Sequence, residues 1–209
     1  MPWVSETRTE AGAQRRSKLR ERLLDVARQS IAARGLAGLK ARDLASEAGC
    51  ALGAIYTAFD DLDELILRVN LSTLQRLGEA LDGALRDAEP AGSLRAMARA
   101  YLDFARAEEP SWRALFEHRL SGGAPVPDWY VDARNQLFSR LETPLGQLLP
   151  GQDQESRARL ARTLFSAVHG VVALGLEQKL AATPPQTLDA QLDALVRLIA
   201  AGLEKEAQA

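Results

Sequence analysis

The sequence predicts an all-α protein of about nine helices, and three observations carry that reading. Apolar residues recur at three- and four-residue steps along most of the 209 residues. No segment sustains the two-residue alternation of a half-buried strand. Breaks rich in Gly and Pro, "EPAGS" (89–93), "SGGAPVP" (121–127), "PGQDQ" (150–154) and "TPPQT" (183–187), divide the chain at intervals that suit helices. Hydrophobic content of 46% against 26% charged is ordinary for a globular chain and allows a sizeable core.

The elements follow in order. Leu19, Leu23, Val26, Ala27, Ser30 and Ile31 form the stripe of an amphipathic helix, which Gly35 ends. A short helix fits Ala41–Ala48, stopped by Gly49, and a third fits Leu52–Ala58. Helices this short are unstable alone, so the three must pack together. Asp60 and Asp61 sit where the N-cap of a long helix would be. Leu62, Leu65, Ile66, Val69, Leu74, Leu77, Leu81 and Leu85 carry that helix to about Asp87. Further helices are expected at Leu94–Ala107, at Trp112–Arg119 with Ser111 as cap, and at Asp128–Leu149, whose end Pro144 and Gly146 weaken. Glu155–Leu180 reads as a long helix with an apolar centre, and Leu188, Leu192, Leu195, Val196, Ile199 and Leu203 stripe the last one. Residues 1–12 read as an arm without regular structure.

Composition narrows the function classes. Residues 1–59 hold ten basic and six acidic side chains, a balance of +4 within a chain of net charge −2. A basic N-terminal part on an acidic body suits contact with nucleic acid at one end, although Arg-rich helices also serve simply to solvate a surface. Two histidines and a single cysteine, Cys50, offer no zinc-ligand spacing and no intrachain disulfide. Cys50 reads as a small buried hydrophobe. No Gly-rich loop follows a strand and no strained nucleophile turn is present, so neither an enzyme, a metal nor a cofactor is expected. The N-terminus carries no apolar signal core, and the apolar run around Val168–Leu176 is too short to span a bilayer; the expectation is a cytoplasmic protein without membrane contact.

Gly35 through Leu65 form one unit: two short helices joined by a glycine turn and packed on a preceding amphipathic helix, the pattern of a DNA-binding helix-turn-helix. With "LLDVARQSIAARG" (23–35), "RDLASEAGCALGAIYTAF" (42–59) and "DLDELILRV" (61–69), the chain resembles the TetR-type transcriptional regulators. Its Ala-Gly, Gly-x-x-Tyr and Phe positions stand at Ala48-Gly49, Gly53 to Tyr56, and Phe59. "PSWRALFEHRL", "LFSRLETPL" and "LFSAVHGVVALGLEQKL" resemble the ligand-binding half of a subgroup described by its Trp, His and Gly, here Trp112, His169 and Gly170. The chain departs from the pattern at Lys40 and Ala51, where Ser or Thr caps are usual, and at Leu62, where a Lys is usual.

The resemblance implies a homodimeric, mostly repressing regulator. Residues 1–60 would be the helix-turn-helix domain, and 61–209 the ligand-binding and dimerisation domain. The dimer would form through 155–181 and 187–206. Partners would be a near-palindromic operator DNA and a small-molecule effector. From Cys50 to Leu65 there is no Lys, Arg, Asn, Gln or His, so the recognition helix has few groups for reading bases. The expected contacts are the Tyr56 hydroxyl to a phosphate, the hydroxyl and methyl of Thr57, the latter suited to a thymine methyl, and close backbone approach at Gly53. Lys40 and Arg42 would reach phosphates from the second helix. Arg15, Arg16 and Lys18 would form a basic arm for the minor groove. The alternative is an all-α ligand- or partner-binding protein that keeps the fold but binds DNA weakly. Tyr101, Phe104, Trp112, Phe116, Trp129 and His169 are candidate effector contacts, with most of the aromatic residues expected in the core and a subset lining a pocket. His169 would serve either as a polar group in an apolar cavity or as a hydrogen-bonded interior histidine. Arg99, His118 and Arg119 are candidate polar anchors for a ligand that read better as surface groups.

Overall fold

A computed structural model describes residues 3–86, 88–89, 92–177 and 184–207. Among them are nine α-helices and no strand: α1 (Trp3–Arg34), α2 (Ala41–Glu47), α3 (Leu52–Ala58), α4 (Leu62–Arg86), α5 (Ser93–Ala107), α6 (Glu109–Glu117), α7 (Asp128–Leu148), α8 (Gln154–Glu177) and α9 (Pro185–Ala207). The chain forms two compact units. Residues 1–73 and 108–127 make the first, and 74–107 with 128–209 the second. The first unit thus extends past the boundary expected at residue 60 and takes in α6. α4 is the one helix among the described residues that contributes to both units.

In the first unit, Leu23, Ala27 and Ile31 line one face of α1 at four-residue steps and are fully buried against Leu44, Ala45, Ile55, Phe59, Leu65 and Val69. α1 ends at Gly35, whose φ of 69° is left-handed. α2 ends in a Schellman turn: with Gly49 at φ 63°, its N–H bonds the Ser46 carbonyl at 3.1 Å, and the Cys50 N–H bonds that of Ala45 at 2.9 Å. Cys50 is half-buried against this core, in keeping with a packing role. Asp61 caps α4, its Oδ1 accepting the Glu64 N–H at 2.7 Å. The N-caps of α2 and α3, Lys40 and Ala51, make no side-chain cap bond, so backbone bonds to their carbonyls, from Leu44 at 3.0 Å and Ala54 at 2.9 Å, and packing hold the first turns.

Two expectations are corrected. Residues 3–12 continue α1 instead of forming an irregular arm; no Pro interrupts Trp3–Arg34, and its Ala, Arg, Glu and Gln residues favour helix. α6 begins at Glu109 and ends at Glu117 instead of spanning Trp112–Arg119. Pro110 sits in its first turn, where no N–H is required. α7 runs from Asp128 to Leu148, as expected to within one residue, with Pro144 buried inside it. The expected endpoints at Asp87 and Leu180 lie outside the described residues.

In the second unit α5 buries Leu94, Met97, Ala98, Tyr101, Leu102, Phe104 and Ala105, and packs against α7, α8 and α9. α8 also packs on α7 and α9. At Gly175 the approach of α9 is close: a Cβ there would lie 2.4 Å from Leu188 Cδ1. Arg95 grips Asp193 with two bonds of 3.1 and 3.0 Å, and Arg106 reaches Asp189 at 2.8 Å, so polar bonds also tie α5 to α9.

Candidate nucleic-acid interface and ligand cavity

α3 buries Ile55 and turns Leu52, Gly53, Tyr56 and Thr57 outward. These positions share one helix face. Leu52 is 41% exposed and Tyr56 55%, unusual for large apolar and aromatic side chains that have a core within reach. Nothing lies within 4 Å of where a Gly53 Cβ would be, so no internal packing demands this glycine. Thr57 bonds its own helix, Oγ1 to the Gly53 carbonyl at 3.3 Å, which leaves its methyl as the group it can offer. Lys40 and Arg42 are exposed at the start of α2. Arg15, Arg16 and Lys18 are exposed too, but they stand inside α1, so they are cations on a helix surface and not a flexible arm.

Sequence reasoning missed Arg20. From α1 its guanidinium donates to the Ala58 carbonyl in the last turn of α3 and to Glu64 Oε1 at 2.5 Å, and lies 4.2 Å from the centroid of the Phe59 ring. Glu64 also accepts the Asp60 N–H at 3.0 Å and Arg68 Nε at 3.3 Å. Burial pushes the Glu64 carboxyl up, but the Asp60, Arg20 and Arg68 bonds outweigh it and hold the group below its ordinary value. One arginine thus fixes the end of the recognition helix to α1 and α4. Its partners stand 38 and 44 residues away, a separation that no local pattern reveals.

His118, expected at the surface, has a side chain only 8% exposed. Its Nε2 lies 3.4 Å from Asp63 Oδ1, and Asp63 Oδ2 accepts the Ser121 N–H at 2.7 Å. Burial pushes the imidazole below its ordinary value, while Asp63 and Asp61 pull it back up. Asn70, itself buried, donates Nδ2 to the Ala114 carbonyl at 3.1 Å. These bonds explain why 108–127 belong to the same compact unit as the helix-turn-helix.

The second unit encloses an apolar cavity of about 50 Å³ between α4, α5, α7, α8 and α9. Met97, Tyr101, Phe138, Leu141, Phe165 and Val196 are among its lining, which includes no charged side chain among the described residues. Tyr101 places its hydroxyl 2.8 Å from His169 Nδ1. The His169 ring stacks on Phe165 at 5.6 Å and 15°, and burial lowers its basicity. Of the expected effector contacts, Tyr101 lines this cavity and His169 is bonded to it. Phe104 is buried on the same helix without lining it, and Trp129 is half-buried at the start of α7, edge-on to Tyr130. Trp112 and Phe116 belong to α6 in the first unit; Trp112 is buried there, edge-on to the exposed Phe116. Phe138 and Phe165, which sequence reasoning passed over, supply the cavity's aromatic wall. Their spacing is that of any helix core, and nothing local marks them. Among the described residues no group of three or more His, Cys, Asp or Glu could hold a metal ion.

Comparison with known proteins bears on both units. A family model described as bacterial regulatory proteins, tetR family, matches residues 23–69. One described as tetracyclin repressor-like, C-terminal domain, matches residues 94–199. The fold is similar to that of a protein of unknown function from Rhodococcus sp. RHA1, at 26% identity and a TM-score of 0.71, covering 89% of this chain and 95% of that one. It is similar to a transcriptional regulator from the same Rhodococcus, at 26% identity and a TM-score of 0.65, covering 88% and 97%. A possible TetR family transcriptional regulator from Streptomyces coelicolor A3(2) shares the fold at 20% identity, with a TM-score of 0.63 and coverage of 89% and 98%. A comparison with curated protein sequences finds no match.

Proposed function

Because the chain belongs to the tetR family of bacterial regulatory proteins, and so is a DNA-binding transcriptional regulator, we propose that it is a homodimeric cytoplasmic repressor released by a small molecule. The observation that carries the DNA-binding surface is the exposed face of α3, Leu52, Gly53, Tyr56 and Thr57, flanked by the exposed Lys40 and Arg42. Two copies related by a two-fold axis would set two such faces into successive major grooves of a near-palindromic operator. Support for the dimer comes from the outer face of α8 and α9. Leu174 is 52% and Leu198 70% exposed, and only 11% of the apolar 18-residue window of α8 is buried. That window is long and apolar enough to cross a membrane. We read it instead as the seam of a four-helix interface, because α9 beside it also exposes a large apolar side chain.

The effector would bind in the cavity of the second unit. A ligand shifts a two-state protein only by its differential affinity for the two states. α4, whose residues belong to both units, is the element we assign to carry the shift. The experiment is a titration of DNA from beside the protein's own coding region, followed by fluorescence anisotropy across a salt series. Saturable binding that weakens with salt is expected. Its absence on every such fragment would leave a helical ligand-binding protein that keeps the fold but does not read DNA there. Leu174→Glu with Leu198→Glu should give a monomer in analytical ultracentrifugation; an unchanged dimer would move the interface elsewhere.

A further inference from the structure

The cavity's chemistry identifies its ligand more closely, an inference that rests on the cavity being the effector site. We infer that the effector is an uncharged, largely apolar ring compound carrying one hydroxyl or carbonyl oxygen, which is read by Tyr101 and its partner His169. Three observations converge. Among the described residues the lining from α4, α5, α7, α8 and α9 holds no Lys, Arg, Asp or Glu, so an ionic ligand would be stripped of water with no counter-charge there. Among the described residues, Tyr101 is the lining residue whose side chain carries a hydroxyl, and that hydroxyl lies 2.8 Å from His169 Nδ1. Phe138 and Phe165 stand edge-to-face at 5.2 Å and 90°, and Tyr101 and Phe165 at 5.7 Å and 79°, an aromatic wall suited to a flat ring.

The Tyr101–His169 pair suits both oxygen types. A phenolic hydroxyl is both donor and acceptor, and a neutral imidazole is donor at one nitrogen and acceptor at the other. With His169 kept neutral by its burial, the bond between them can run either way. If Tyr101 donates to Nδ1, its oxygen can accept from a ligand hydroxyl. If Nδ1–H donates to Tyr101, the phenolic O–H can turn to a ligand carbonyl. A ligand oxygen therefore joins this bond or takes His169's place in it.

Size explains how such a ligand would act. The cavity holds about 50 Å³, whereas an apolar cavity that accepts benzene is on the order of 150 Å³. A ring enters only if the wall moves. Met97, an unbranched side chain with three rotatable bonds, is the wall's most adaptable member. The ligand then favours a wider arrangement of the surrounding helices, which is the differential affinity that release of DNA requires.

The test uses the full chain and three matched probes at pH 7, titrated by calorimetry: p-cresol, p-xylene and p-toluate. They differ in one substituent, a neutral hydroxyl, a methyl and a carboxylate. p-Cresol is expected to bind tightest. p-Xylene should be about tenfold weaker for want of the hydrogen bond, and p-toluate at least about a hundredfold weaker. Tyr101→Phe should bring p-cresol down to the level of p-xylene and leave p-xylene unchanged, and Ala98→Phe, which fills the cavity, should abolish all binding. The ranking of the three probes on the unaltered protein needs no variant to fold. p-Toluate binding as tightly as p-cresol, and abolished in Ala98→Phe, would overturn the ligand class and keep the cavity as effector site. Equal affinity for p-cresol and p-xylene would overturn the role of Tyr101. No binding by any probe, or binding indifferent to Ala98→Phe, would overturn the cavity as effector site and the proposal with it.

Discussion

Replacing Arg20 by Ala separates a residue that places the recognition helix from one that touches DNA. The substitution removes a charge-assisted bond to Glu64, a bond to the Ala58 carbonyl and the stacking over Phe59. A hydrogen bond to a charged group contributes about 1.5–3 kcal/mol and a cation over an aromatic face about 0.5–1 kcal/mol. The Arg20 side chain is 34% exposed and that of Glu64 17%, so water screens part of this. The expected loss is about 2 kcal/mol in the stability of the first unit, read as a lower denaturation midpoint. DNA affinity should fall by at most about thirtyfold, the factor that 2 kcal/mol sets on the population of the docked α3. The decisive reading is the salt dependence. Arg20 gives its guanidinium to internal partners, so Arg20→Ala should leave the slope of log K against log salt unchanged. Lys40→Ala should instead reduce that slope by about one for each phosphate it no longer neutralises, with stability intact. An Arg20→Ala protein of undiminished stability whose slope drops like that of Lys40→Ala would refute the clamp and make Arg20 a phosphate ligand.

Gly53→Ala should raise stability by about 0.5–1 kcal/mol, because alanine is the better helix former and no atom lies within 4 Å of the new methyl. The same change should weaken operator binding in the anisotropy assay, since the methyl intrudes where backbone approaches DNA; unchanged affinity would remove Gly53 from the DNA-facing surface. His118 gives a pH signature. Its folded pKa lies below the ordinary 6.5, so the neutral form contributes stability that is present above pH 6.5 and lost as pH falls through the folded value. Wild type should therefore lose stability relative to His118→Gln as denaturation is followed from pH 7 to pH 5, and parallel curves would count against a buried neutral imidazole. Gly175→Ala should cost about 1–3 kcal/mol by driving its methyl into Leu188. Leu188→Ala should make that change cheaper, so that the double variant is more stable than the sum of the two single losses.

The helices were legible because their signals are local. The Leu23–Ala27–Ile31 stripe, the glycine stops at 35 and 49, and the Asp61 cap each act within one or two turns, and each stands where the periodicity predicts. Boundaries slipped where a residue has two allowed roles. Pro110 reads as a break but is equally at home in a first helical turn, and it lets α6 begin at Glu109. The sites were less legible because they depend on long-range pairing. Tyr101 and His169 were visible as individual polar residues in apolar helices, yet nothing local sets the hydroxyl 2.8 Å from the imidazole across 68 residues. Trp112 fits the resemblance by sequence, but the fold commits it to the core of the first unit, where α6 packs on α1.

The cation-poor α3 takes on a definite meaning once Arg20 is placed. A recognition helix that itself carried arginines could gain phosphate attraction and base contacts from one element. In the DNA surface proposed above, the two tasks fall on different helices. α3 offers an apolar Leu52, a methyl at Thr57 and bare backbone at Gly53, groups that respond to thymine methyls and groove shape. Long-range attraction must then come from Lys40 and Arg42 on α2 and from Arg15, Arg16 and Lys18 on α1, which all stand exposed. Such a division makes the angle of α3 against α1 and α2 more important than in a helix that steers itself, because cations and reading face reach their targets together only at one geometry. Arg20 and the Schellman turn at Gly49 help to fix this angle, one at each end of the recognition segment, beside the core that Ile55 and Phe59 share with α1 and α2. On that reading the basic surplus of residues 1–59 would serve two ends: exposed side chains to attract phosphates, and the partly buried Arg20 to hold the neutral reader in place.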